Sequence, residues 1–317
     1  MKKSFLGCLL LAVVLFLHPM AGAAAQAGVY LPAFKNSYRT LSVPTQVTKI
    51  GDTYFLVDAY HDRVLYSDSV GTILTNWDVL DYEYDHPHAI AGDGTILMVV
   101  DTDNNRVVTY RKLDQGYERI ETLEAGNRPH AIVFDKDTGL FYVWSSMSGE
   151  MYRFRREADS FHTKLADVQK VPELEGRYTR SFTIVGDEIY LPSMGMSTVY
   201  VLNKKTFKVK KRYAVPSEIG GMVQLSRFGD YWYLTYSSDQ AYDQSHQGIV
   251  RFTGFSDLKK GKVEDLTALF DGNAPYWIEY FDDAYYVAAT GQDKMPGVLY
   301  SFCLENNKIT NKYKIVQ

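Results

Sequence analysis

Cysteine is almost missing from this chain of 317 residues, which holds only Cys8 and Cys303. That scarcity excludes a disulfide scaffold and every paired-cysteine metal motif. Basic clusters are scarce too. The densest run, Lys259-Lys260-Gly261-Lys262, reads as a solvated turn, and the formal net charge is -4. Without a Lys/Arg stripe there is no nucleic-acid footprint. No Ser/His/Asp order of a hydrolase and no glycine-rich phosphate loop occurs. No Pro/Ser-rich linker divides the chain. Long apolar runs are lacking apart from Phe5 to Leu17, about 13 residues and short for a bilayer span.

That one run follows Lys2 and Lys3 and leads through Pro19 to Ala23-Ala24-Ala25. Residues 1–25 therefore read as a cleaved export signal, with Ala25-Gln26-Ala27 a second acceptable site. Cys8 lies ahead of most of the apolar run rather than after it, which argues against a lipid anchor. Cleavage removes two lysines and no acids, moving the formal charge from -4 to -6. The expected product is secreted or extracytoplasmic (periplasm or cell surface), with no stable membrane span. Its one thiol, Cys303, sits in a strand-like run and reads as buried and inert. Residues 26–317 are expected to form one domain, and 46% hydrophobic residues supply ample core.

What the chain does have is a phrase repeated about every 42 residues, the mark of radially repeated β-sheets. Pro44-Thr45-Gln46-Val47 leads to Asp58 and, after a polar loop, to Arg63-Val64. Pro87-His88-Ala89-Ile90 leads likewise to Asp101 and Arg106-Val107. A third copy runs from Arg128-Pro129-His130-Ala131-Ile132 to Trp144. Weaker copies open at Thr179-Arg180-Ser181-Phe182, Gly220-Gly221-Met222-Val223 and Pro275-Tyr276-Trp277-Ile278. Six phrases consume the chain, so the expected fold is all-β: a six-bladed β-propeller of four-stranded antiparallel blades. Outer strands are expected at 71–74, 117–123, 161–165, 207–211, 262–266 and 308–313. Residues 257–270 are the expected helical exception. Either 38–43 or the C-terminal strand could complete blade six, and the sequence does not choose.

The phrase Pro-x-x-Ile, strand, Asp, then Asn-Asn-Arg-Val resembles the NHL-repeat propellers, most closely over residues 87–110. The resemblance implies that Asp58/Arg63 and Asp101/Arg106 brace turns. Asp101-Thr102-Asp103-Asn104-Asn105 also looks briefly like a calcium loop. It lacks the required glycine, with Arg106 in its place, and Lys112 stands where the final acid belongs.

In a propeller the loops entering each inner strand surround the channel mouth, where ligands usually bind. The residues opening the inner strands are Thr45, His88, His130, Arg180, Gly221 and Tyr276, with Gln46, Ser181, Met222 and Trp277 beside them. Second-to-third-strand loops add His61, Asp62, Asp103, Asn104, Met147, Met194 and Met196, the long stretch 237–247, and 292–295. Tyr242 and Trp144 flank the same surface. Three functions fit. The first is binding of a small polar or anionic ligand, a sugar or peptide, by His88, His130, Arg180, Tyr276, Trp277 and Gln46. The second is a metal-assisted lyase or hydrolase: Pro87-His88 and Pro129-His130 resemble the Pro-His motif of peptidyl-hydroxyglycine amidating lyases and streptogramin B lyases. That resemblance implies a divalent metal (Zn or Ca) on His88 and His130, with His61 or His246 as third ligand. In that chemistry Arg180 would serve as anion partner and Tyr276 as acid or base. The third is a scaffold for another exported protein. In each case a monomer is expected.

Overall fold

The computed structural model describes residues 28–70, 73–237, 246–291 and 295–316. Residues 1–25, expected as an export signal, most of the blade-five loop with Tyr242, and 292–294 lie outside these residues. Six antiparallel sheets follow one another along the chain, so the propeller expectation holds. Their inner strands are Pro44–Ile50, Pro87–Gly92, Pro129–Asp135, Thr183–Val185, Met222–Phe228 and Ala274–Phe281.

Each blade buries its faces against its two neighbours, and the core is accordingly divided into six apolar clusters, one per junction. Val57 and Leu80 of blade one meet Val99 and Tyr110 of blade two. Trp77 and Val47 of blade one meet Tyr286 and Leu299 of blade six, closing the ring. Second strands such as Ile96–Asp101 are buried along their whole length, with Asp101 the one charged residue of that strand. Outer strands such as Thr163–Lys170 alternate because one face is wet.

Polar braces tie neighbouring inner strands together. Gln46 Oε1 accepts the Ile90 amide at 2.6 Å. Gln224 both accepts from the Ile278 amide at 2.7 Å and donates to its carbonyl at 3.1 Å. The Asp/Arg pairs do brace turns. Asp58 accepts the Ser42 amide at 2.8 Å and Arg63 Nη2 at 2.7 Å. Asp101 does the same with the Asp85 amide at 2.7 Å and Arg106 Nε at 2.6 Å.

Several expectations need correction. The outer strand of blade one is Asp78–Asp81; of the expected 71–74, residues 71–72 lie outside the described residues and Leu74–Asn76 form a 3-10 turn, with Leu74 and Trp77 in the core. The C-terminal strand Lys308–Val316 completes blade six. Residues 38–43 form no strand and contribute one bridge, Leu41 to Gly297. The preceding segment instead adds fifth strands, Val29–Leu31 on blade two and Phe34–Lys35 on blade one. The helical exception is smaller than expected: one α-helical turn, Phe255–Lys259, and a 3-10 turn, Thr267–Phe270.

Candidate functional site

A one-residue bulge aims the mouth residues. In five blades the ladder between inner and second strand slips between Pro44/Gln46, Pro87/Ala89, Pro129/Ala131, Met222/Gln224 and Pro275/Trp277. The residues left over are Thr45, His88, His130, Val223 and Tyr276. In blade four Thr179 pairs Ser193 and Thr183 pairs Tyr190, so four steps oppose three and Arg180 lies in the extra stretch. A bulge re-aims the side chain it leaves unpaired. The register puts Val223, not Gly221, at the blade-five position.

His88, Arg180 and Tyr276 line one throat cavity of about 190 Å³, together with Tyr60, Tyr178, Ser237 and Gln247. His130 stands behind His88, the ring centroids 3.9 Å apart at 39°. His130 Nε2 also approaches the Tyr178 hydroxyl at 3.4 Å, the rings edge to face. Arg180 lies over the Tyr178 ring at 5.2 Å and donates to Ser237 Oγ at 3.0 Å. Tyr60 and Tyr178 also line a wider vestibule of about 600 Å³, with Arg128, Arg177, Met147 and Met194.

Burial strips both imidazoles of charge. His88 is held down to about 3 by desolvation, although it touches the His86 carbonyl at 2.8 Å and Thr102 Oγ1 at 2.9 Å. His130 is pushed well below the ordinary histidine range, first by desolvation and then by His88 and Arg180. Burial also raises the Tyr276 phenol, keeping it protonated. Deeper in, Glu279 accepts from Trp277 Nε1 at 3.2 Å, and desolvation raises its carboxyl to about 7.

The other residues expected at the mouth stand elsewhere. Gln46 is spent on Ile90, and Trp277 packs in the junction of blades six and one. Trp144 is core, its indole donating to the Thr179 carbonyl at 3.0 Å. His61 turns away: its Nδ1 meets Asp58 at 2.8 Å and its ring stacks on Tyr38. His246 lines a separate cavity with Met194 and Glu218. Neither supplies a third ligand, and no Cys, Asp or Glu joins the pair among the described residues. The one three-donor group found among them is Asp62, Asp85 and His86 on the rim, where Asp85 and Asp103 already hold His86 Nδ1 at 2.8 and 3.0 Å.

Sequence reasoning missed Tyr60, Arg128, Arg177 and Tyr178. A signal existed for two of them. Arg128 and Tyr178, like His86, stand two residues before the bulge residue with positive φ (57° and 40°), which throws the backbone out over the mouth.

No family model matches the chain, and no curated protein matches it. Solved structures do. A streptogramin B lyase aligns over 92% of this chain and 89% of its own, with 13% identity and a TM-score of 0.60. A catalytically inactive virginiamycin B lyase from Staphylococcus aureus, solved with quinupristin, aligns over 89% and 87% at 12% identity, TM-score 0.59. A Bacteroides uniformis protein provisionally named a 6-phosphogluconolactonase aligns over 84% and 82% at 13% identity, TM-score 0.59. At such identities the likeness is one of fold.

Proposed function

We propose that this protein is an exported propeller that binds a small anionic ligand at its channel mouth. One observation carries the reading. Among the described residues, every charged side chain lining the throat and vestibule is cationic, Arg128, Arg177 and Arg180, in a chain whose net charge is negative. The neutral imidazole of His88 and the phenols of Tyr60, Tyr178 and Tyr276 add hydrogen bonds and stacking faces without adding charge. An anion entering there exchanges water for charge-assisted donors in a partly desolvated cavity. No helix among the described residues is long and apolar enough to cross a membrane. Export as a monomer after cleavage near residue 25 fits with this role.

Titration calorimetry with malate and glucose 6-phosphate tests the reading. Binding that weakens at least tenfold in Arg180→Gln supports it; binding indifferent to that change, or none to any anion, overturns it.

A second reading, lyase or hydrolase chemistry, draws on the same throat. The Tyr178 hydroxyl, 3.4 Å from His130 Nε2, is a phenol that this contact could orient as a proton donor toward the throat. Metal assistance would rest on His88 and His130 alone among the described residues. Metal analysis of the purified protein tests that part: a bound divalent ion lost in both His88→Ala and His130→Ala favours it.

A further inference from the structure

Beside the vestibule lies a second cavity of about 450 Å³, lined by Ser217, Glu218 and His246, and Met194 lines both. The two arms differ in charge. Arg177 on one side and Glu218 on the other are both exposed, and neither makes a side-chain hydrogen bond or ion pair with any described residue. Opposite charges left unpaired on either side of one thioether suit a molecule that carries both signs itself.

The floor between them has little room for side chains. A Cβ at Gly195 would lie 2.4 Å from the Arg177 carbonyl oxygen, and one at Gly220 would lie 2.9 Å from Ser197 Oγ. Glycine at both places is required by the protein's own packing, which already occupies each Cβ direction. Met147 and Met194 supply an apolar wall that adapts to varied side chains.

We infer that the ligand is bipolar: a short peptide with free ends, its carboxylate held by Arg177 and Arg180 and its ammonium over Glu218. This inference rests on the anion-binding reading and narrows it. A sugar phosphate or dicarboxylate would satisfy the arginines yet leave Glu218 uncompensated or repelled. A peptide satisfies both arms and lays its side chains on the methionines.

The test is affinity selection of a random tripeptide library on the full exported chain, followed by calorimetry of the retained members. Free tripeptides should be retained. Amidating their C-terminus should weaken binding at least tenfold, and acetylating their N-terminus about three- to tenfold. In Glu218→Gln the free and acetylated forms should bind alike. Retention of no free tripeptide, or equal retention of the acetylated library, overturns the inference. If malate or glucose 6-phosphate still binds in an Arg180-dependent way, the anion reading survives alone; if neither class binds, both fall.

Discussion

His88 and His130 pack with ring centroids 3.9 Å apart and planes tilted by 39°, and desolvation keeps both uncharged beside Arg180. Two imidazoles packed so closely would repel as cations, so the pairing and the neutrality support each other. Among the described residues, the positive charge of the mouth therefore rests on arginines and not on these histidines.

The stability consequence has a definite sign. His88 has a folded value of about 3 against an unfolded value of 6.5, so the unfolded chain binds the proton first. The stabilising contribution is complete above pH 6.5 and is lost as pH falls toward 3. Unfolding followed by circular dichroism from pH 7 to 4 should show a steep decline, and His88→Gln should flatten it. An unchanged slope in the variant would remove His88 from the account.

Glu279 acts in the opposite direction. Its carboxyl titrates near 7 rather than 4.5, so the folded state prefers the protonated form and loses stability as pH rises between those values. The full shift corresponds to at most ~3 kcal/mol, less what solvent access removes. Glu279→Gln should raise the melting temperature at pH 8 and change it little at pH 4.5. Equal shifts at both values would show that the side chain's charge is immaterial.

The fold was legible because its signals are local and repeated. Pro44, Pro87 and Pro129 mark the starts of inner strands, and buried runs such as Ile96–Asp101 allow no other placement. What escaped depended on register. Two additional residues before Met222 moved the blade-five position from Gly221 to Val223, a slip that only the ladder reveals. Tyr60 and His61 are neighbours on one turn. Which of them faces the throat is decided by Asp58, whose carboxylate captures His61 and leaves Tyr60 at the mouth. Likewise Gln46 reads as a ligand residue until its partner, the Ile90 amide, is known.

Those glutamine braces predict stability effects without binding effects. Gln224→Ala leaves both the amide and the carbonyl of Ile278 without their side-chain partner, whereas Gln46→Ala frees only the Ile90 amide. Each orphaned buried group costs about 1–3 kcal/mol. Urea titration should find Gln224→Ala the more damaging of the two, with anion affinity unchanged in both.

The two Asp/Arg braces offer a comparison between burial and exposure within one repeat. Asp58 and Arg63 are both fully buried, with Arg63 also donating to the Thr40 carbonyl at 3.1 Å and to Asn36 Oδ1. Arg106 is 27% exposed over an equally buried Asp101. Removing Arg63 leaves the Asp58 charge where water cannot reach it, with only the Ser42 amide and His61 Nδ1 beside it, a loss of about 3–5 kcal/mol for a buried pair. Removing Arg106 opens a path along which water can solvate Asp101, and Asn104 Nδ2, 2.9 Å from that carboxylate, remains to hold it. Arg63→Ala should therefore destabilise the protein clearly more than Arg106→Ala when both are unfolded in urea. Equal losses would mean that exposure does not decide the strength of these braces, and that the repeated Asp/Arg geometry acts through the turn alone.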